Sequence, residues 1–244
     1  MPLSDLTVLV LAGGLGTRLR GVVPDLPKVL APVAGRPFLD HLLSELARRG
    51  ARDVVLATGY RSDLVRRFAA DGARWGLAVR YSEEHEPLGT GGAVVAARSL
   101  LPSDPFVVLN GDTFVEVEWE AFAAAHRAAG AVITVAVVPV ADSARFGRVL
   151  LADGDRVAGI AEKGEAGPGL VNAGAYLIAR DAPAAWGTEA PLSLERDVLP
   201  RYVGRGLQGF RCAGRFLDIG TPVSLEEAQR YFVERAHDGI SRSA

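Results

Sequence analysis

The chain has 244 residues, 49% of them hydrophobic, which is enough for one large domain or two small ones with a substantial core. Its 27 basic and 29 acidic residues leave a net charge of −2, which argues against a general nucleic-acid binder with a broad basic surface. The single cysteine, Cys212, excludes an internal disulfide, and no apolar stretch reaches membrane-spanning length. The opening Met-Pro-Leu-Ser-Asp lacks the basic start of a secretory signal, so a soluble, cytoplasmic protein is expected.

The first element is the β-branched, apolar run Thr7-Val8-Leu9-Val10-Leu11, which reads as a buried parallel strand. It passes into Ala12-Gly13-Gly14-Leu15-Gly16-Thr17-Arg18. Gly13, Gly14 and Gly16 let a ligand approach the main chain, and their N–H groups can form an anion-binding nest. Arg18 adds a planar, permanent cation suited to phosphate oxygens. Strand, loop and arginine together suggest a triphosphate site. The pattern is neither the Walker sequence nor the dinucleotide fingerprint, and a glycine-rich turn alone is also an ordinary turn.

Pro24-Asp25-Leu26-Pro27-Lys28 follows. Its two prolines stiffen the segment and can hold Lys28 in a fixed place, although an exposed loop lysine would read the same way. A helix is expected over 38–49, with Leu39, Leu42, Leu43 and Leu46 on one face and His41 off that stripe, toward solvent. A second strand spans 53–58, Ser62 caps a short helix, and a third strand spans 77–81. This β-α-β-α-β order, with ligand groups at strand C-terminal ends, reads as a doubly wound sheet whose crevice lies on that edge.

The next strand exit, Ser82 to Ala93, is again rich in glycine and carries Glu83, Glu84 and Glu86 before a helix over 93–101. A carboxylate here can accept hydrogen bonds from guanine N1–H and its exocyclic amine, and cannot pair with thymine or uracil O4. Glu86, beside Pro87-Leu88-Gly89, is the preferred guanine reader and Glu84 the second; a solvated acidic loop is the plain alternative. An apolar strand then ends in Asn110-Gly111-Asp112. Asp112 is placed to hold Mg²⁺, or to cap the helix over 119–129.

A β-branched strand over 131–138 precedes two short strands, 148–152 and 156–162, joined as a hairpin at Asp153-Gly154. Lys163, at the hairpin's end, reaches a second phosphate or is an exposed edge lysine. A strand over 171–179 begins with Asn172-Ala173-Gly174, a short helix over 192–198 is capped by Ser193, and a strand spans 206–212. Thr221 and Pro222 open a final helix whose apolar face is Leu225, Ala228 and Phe232. Asp218, wedged between apolar residues just before it, needs a partner, which a metal shared with Asp112 would supply. Residues 1–237 read as a single domain and 238–244 as a frayed polar tail.

Taken together, Leu11 to Leu19, Pro27-Lys28, Gly35-Arg36-Pro37, Leu88-Gly89-Thr90-Gly91-Gly92-Ala93, Asn110-Gly111-Asp112, Glu162-Lys163, Asn172-Ala173-Gly174 and Asp218-Ile219-Gly220-Thr221-Pro222 resemble the sugar-1-phosphate nucleotidyltransferase family. The pieces run in family order over nearly the whole chain. The resemblance implies an α/β, Rossmann-like, doubly wound and mainly parallel mixed sheet with a small antiparallel insertion. The stretch 87–93 and the compact Asp25-Leu26-Pro27-Lys28 spacing are most similar to guanylyltransferases acting on D-glycero-D-manno-heptose 1-phosphate, and next to those acting on mannose 1-phosphate. An N-acetylmuramate-1-phosphate uridylyltransferase, or a catalytically silent nucleotide-sugar-binding regulator, are the other readings.

The resemblance implies that an NTP, expected to be GTP, and a sugar 1-phosphate give an NDP-sugar and pyrophosphate, with Mg²⁺ as cofactor and no nucleic-acid or membrane partner. In its terms, Leu11, Ala12, Gly13, Gly14, Gly16, Thr17, Glu86 and Gly89 bind the nucleotide. Arg18 holds the β- and γ-phosphates, Lys28 the α-phosphate and Lys163 the sugar phosphate. Gly111, Glu162 and Asn172 bind the sugar, and Asp112 and Asp218 hold the metal.

Overall fold

The computed structural model describes residues 1–14, 16, 19, 25–161, 164 and 166–241. In chain order the elements are β1 (Thr7–Leu11), β2 (Pro32–Val33), β3 (Arg36–Pro37), α1 (Phe38–Arg48), β4 (Asp53–Thr58), α2 (Ser62–Ala69), β5 (Ala78–Glu83), α3 (Gly89–Ala97), β6 (Phe106–Asn110), β7 (Thr113–Val115) and α4 (Trp119–Ala128). They continue with β8 (Ile133–Val140), β9 (Val149–Leu151), β10 (Val157–Ile160), β11 (Gly169–Ile178), α5 (Leu199–Tyr202), β12 (Leu207–Arg211), β13 (Phe216–Asp218) and α6 (Pro222–Ser241).

Seven strands form the central sheet in the order β12-β8-β11-β6-β1-β4-β5. β1 lies parallel to both β4 and β6, β4 to β5, and β12 to β8. Only β11 runs against its neighbours β6 and β8, so the sheet is mixed but mainly parallel. Strand alternation splits the core into two layers. Val8 and Val10 face one layer with Leu39 and Leu43 of α1 and Phe122 of α4. Leu9 faces the other with Ala93 and Val94 of α3. Helix α6 closes a third cluster with Phe38 and Phe114 through Leu225, Ala228 and Phe232, the face expected for it. β9 and β10 form the antiparallel hairpin at Asp153-Gly154, and Gly154 takes φ +68°.

Several local expectations change in the folded chain. His41 is 8% exposed rather than solvated. Its ring stacks on Phe232 of α6 at 3.9 Å, and its Nε2 lies 2.9 Å from the Val33 carbonyl. The side of α1 that looks polar in isolation is covered by a helix nearly two hundred residues further on. Ser62 is the first residue of α2 and not its cap. Arg61 caps the helix in the left-handed region, and Ser62 Oγ donates to Glu83 at 2.6 Å. Helix α3 begins at Gly89, inside the glycine-rich stretch, and gives way to a 3-10 turn at Arg98. The helix expected over 192–198 is a π turn at Leu194–Val198, capped by Ser193 and followed by α5. The helical backbone of α6 continues to Ser241, beyond the expected start of the tail.

Burial lowers the pKa of His41 below the ordinary 6.5, and does the same to His126, whose Nδ1 lies 2.8 Å from Thr134 Oγ1. The unfolded chain therefore binds more protons below that value than the folded one does. The stability these rings contribute is complete above about pH 6.5 and is lost as pH falls through their depressed folded values. Both imidazoles are expected to titrate below 6.5 in an NMR titration. A midpoint at or above that value for either ring would contradict its buried placement.

Candidate active site

The C-terminal ends of β1, β4, β5 and β6 open on one cavity of about 660 Å³, lined among others by Leu11, Gly13, Gly14, Gly16, Lys28, Glu84, Glu86, Gly89, Thr90, Asn110 and Asp112. The crevice is where a doubly wound sheet places one. Close backbone approach shapes its floor. A Cβ on Gly13 would lie 2.9 Å from Glu84 Oε1 and 3.3 Å from the Gly59 backbone nitrogen, so the exits of β1, β4 and β5 meet closely here. Leu11 C=O accepts the Gly111 N–H at 3.0 Å, and Ala12 N–H donates to the Ala57 carbonyl at 2.7 Å. The main-chain groups next available along the chain are those of Gly13 and Gly14.

Lys28 opens a 3-10 turn, Lys28–Leu30, directly after Pro27. Its side chain is only 9% exposed and forms an ion pair with Asp112. Gly16, at φ +58°, packs against it: a Cβ there would stand 3.0 Å from Lys28 Cβ. Gly16 thus lies against the lysine stem. Thr17 and Arg18 of that loop, and Glu162 and Lys163 at the end of the hairpin, lie outside the described residues.

Asp112 follows Gly111, where a Cβ would come within 2.5 Å of the Leu11 carbonyl oxygen. Asp218 is brought to it by a small sheet. β13 pairs antiparallel with β7, with Asp218 opposite Thr113, and Ile219 N–H donates to the Asp112 carbonyl at 3.0 Å. The Asp218 carboxylate, 17% exposed, accepts from Arg145 Nη2 at 2.8 Å and from Gly220 N–H at 3.0 Å. A Cβ on Gly220 would lie 2.8 Å from Asp218 Oδ1 and 3.2 Å from Lys28 Nζ. Lysine amine and both aspartates therefore converge where that side chain is missing. Arg145 is a participant that sequence reasoning missed, since nothing in its neighbours distinguishes it from other loop arginines.

Asp112 and Asp218 supply carboxylate oxygens of the kind Mg²⁺ takes, few from protein with water and phosphate completing its shell, and in this structure each is paired with a cation, Lys28 or Arg145. Among the described residues, no group of three or more His, Cys, Asp and Glu side chains could hold a metal by itself.

The carboxylates near the base end differ in depth. Glu84 is partly buried against Gly13, accepts a long hydrogen bond from Leu88 N–H at 3.4 Å, and burial raises its pKa. Glu86 lies exposed on the cavity rim. Gly89, at φ +76°, starts α3 at the cavity edge. Asn110 also lines the cavity, and its Oδ1 is buried without a hydrogen-bond partner among the described residues. A buried acceptor left unpaired is costly, and a ligand hydroxyl or amide would satisfy it. Asn172 is not on the cavity wall. It lies on β11, where that strand slips register against β8 between Asn172 and Tyr176. Gly174 in that bulge has φ +71°, and a Cβ on it would touch Asn110 Nδ2 at 2.9 Å.

A parallel-centred sheet, a glycine-lined crevice and a lysine–aspartate corner define a nucleotide-transferring α/β protein. The nucleotidyl transferase family matches residues 7–235, and the chain belongs to that family. It is 34% identical over 224 residues to the D-glycero-alpha-D-manno-heptose 1-phosphate guanylyltransferase of Aneurinibacillus thermoaerophilus, covering 91% of this chain and 96% of that one. It is 35% identical to the mannose-1-phosphate guanylyltransferase of Mycobacterium tuberculosis, over 91% of this chain and 63% of that longer protein. The crystal structure of HddC from Yersinia pseudotuberculosis complexed with GMP-PN superposes with a TM-score of 0.83 at 31% identity, covering 93% of this chain and 99% of that one. No helix among the described residues is long and apolar enough to cross a membrane.

Proposed function

We propose that this protein transfers a guanylyl group from GTP to a sugar 1-phosphate, with D-glycero-α-D-manno-heptose 1-phosphate as the acceptor, and that it works in the cytoplasm. The observation that carries this reading is the convergence of Lys28, Asp112 and Asp218 beside a glycine-lined cavity. The similarity to a heptose 1-phosphate guanylyltransferase over nearly its full length supports the choice of acceptor.

A phosphate oxygen of the sugar attacks the α-phosphorus of GTP. The new P–O bond forms as the bond to the bridging β-oxygen breaks, and pyrophosphate leaves with that electron pair. The nucleophile is already an anion, so no general base is needed. Bringing two anions together demands positioning and cations. Lys28 neutralises the α-phosphate as charge builds there, Arg18 holds the departing phosphates, and Lys163 holds the incoming sugar phosphate. Gly111, Glu162 and Asn172 bind sugar hydroxyls. Asp112 and Asp218 would hold Mg²⁺, which when bound neutralises phosphate charge. The Gly13 and Gly14 main chain cradles the triphosphate.

For the base, the geometry favours Glu84 over Glu86. Glu84 is the more sheltered carboxylate, and a sheltered acceptor penalises a mismatched base more than an exposed one does. Pyrophosphate release measured over four NTPs against several sugar 1-phosphates is the test. GTP with the heptose substrate should give the highest kcat/KM. Glu84→Gln should lower the preference for GTP at least tenfold, and Glu86→Gln should change it less. Equal selectivity in wild type and Glu84→Gln would remove Glu84 from base recognition. Mannose 1-phosphate is the second reading, favoured by the 35% identity to the mycobacterial enzyme. A higher kcat/KM with that acceptor would decide for it.

A further inference from the structure

A chain of hydrogen bonds runs from Asn172 on β11 to Thr90 on the cavity wall. Asn172 Nδ2 donates to Tyr176 OH at 2.6 Å, and Tyr176 OH donates to Glu195 Oε1 at 3.1 Å. From the other side, Leu194 N–H donates to Thr90 Oγ1 at 2.8 Å, and Thr90 Oγ1 donates to Glu195 Oε2 at 2.8 Å. Ser193 Oγ donates to the same Oε2 at 3.2 Å. Thr90 follows Gly89 on the cavity wall, whereas neither Tyr176 nor Glu195 lines the cavity.

Several features make this an aligned device and not a chance cluster. Tyr176 is fully buried, and among the described residues these are its hydroxyl's partners. Glu195 sits in the π turn Leu194–Val198, a distortion that recurs at functional sites and here delivers the carboxylate between β11 and α3. The same segment is clamped to the glycine stretch, with Gly91 N–H and Gly92 N–H both donating to the Leu192 carbonyl at 2.8 and 3.2 Å. An ionised carboxylate can only accept. It therefore forces all three hydroxyls to point their protons at it. Tyr176 must then receive from Asn172 Nδ2, which leaves Asn172 Oδ1 to accept the Gly174 N–H at 2.9 Å. One acceptor-only group thus fixes which way the Asn172 amide faces, and also fixes the Thr90 hydroxyl some eighty residues away in sequence.

We infer that Glu195, acting through Tyr176 and Thr90, is a positioning residue that locks the sugar-side amide of Asn172 and the nucleotide-side Gly89-Thr90 turn into one aligned frame. This rests on the transferase reading above, which supplies the sugar and nucleotide ends. A neutral amide at 195 could donate as well as accept and would release that alignment.

The test uses the full chain with Tyr176→Phe, Thr90→Val and Glu195→Gln. It measures KM for each substrate, calorimetric GTP affinity without acceptor, and melting temperature. Losing one aligned hydrogen bond corresponds to roughly five- to tenfold in affinity. Tyr176→Phe is expected to raise the KM for sugar 1-phosphate about five- to tenfold, with GTP affinity within about twofold of wild type. Thr90→Val should show the opposite split. Glu195→Gln, which keeps its size and lies off the cavity, should weaken both. A lowered melting temperature with unchanged KM values and GTP affinity would make the network a purely structural one and overturn the inference. Unchanged GTP affinity in both Thr90→Val and Glu195→Gln would also overturn it, whatever the acceptor proves to be. A wild-type protein that binds GTP but releases pyrophosphate with no sugar phosphate would instead bring down the transferase reading itself.

Discussion

Asp112→Asn is expected to lower the rate of pyrophosphate release by ~10²–10³-fold at saturating GTP and Mg²⁺. The substitution keeps the side chain's shape and removes its charge. It therefore takes away half of the proposed metal-binding pair and the counter-ion of Lys28 at once. The Asp112 side chain is 34% exposed, so water can screen part of the change and the fold should survive it. Melting curves and GTP titrations, run beside the kinetics, separate chemistry from folding. Near-wild-type turnover in a well-folded Asp112→Asn protein would detach Asp112 from the reaction. Lys28→Met probes the other member of the pair and should fall in the same range.

The second large effect is expected from Gly89→Ala. Gly89 has φ +76°, and a Cβ there would lie 2.5 Å from the Leu192 carbonyl oxygen. The left-handed backbone alone costs a residue with a side chain about 1–2 kcal/mol. The collision is with main chain, which cannot rotate away, so the loss should exceed that figure. Gly76→Ala is the matched control. It shares a positive φ of +70° but meets nothing within 4 Å, so it reports the backbone cost alone. Urea midpoints for the two variants should differ, with Gly89→Ala the less stable and also the weaker GTP binder. Equal midpoints would mean that the Leu192 segment moves freely away from α3.

Much of the fold was legible in the sequence because strands and helices announce themselves locally. The apolar run at Thr7–Leu11, the strand at Asp53–Thr58 and the cap-proline start of α6 all sit where their patterns place them. What was not legible depends on distant partners. His41 reads as a surface residue until α6 covers it. The pairing of β13 with β7, which stands Asp218 beside Asp112, joins segments about a hundred residues apart and leaves no periodic trace. Arg145, Tyr176 and Glu195 carry no motif, and their places are set by a loop, a bulge and a π turn. Asn110 was visible only as part of a turn-like Asn-Gly-Asp, and its unpaired oxygen becomes apparent only once its neighbours are known. For the base reader, adjacency to Pro87-Leu88-Gly89 puts Glu86 ahead of Glu84, whereas burial, which adjacency does not report, favours Glu84.

The arrangement of β13 has a consequence for biosynthesis. A nascent chain carries the glycine loop, Lys28 and Asp112 long before Asp218 leaves the ribosome. Until β13 docks on β7, the growing polypeptide lacks the second of the two carboxylates that meet beside Lys28. Because β13 pairs with β7 across about a hundred residues, synthesis from the N-terminus completes this corner only after Asp218 has been made.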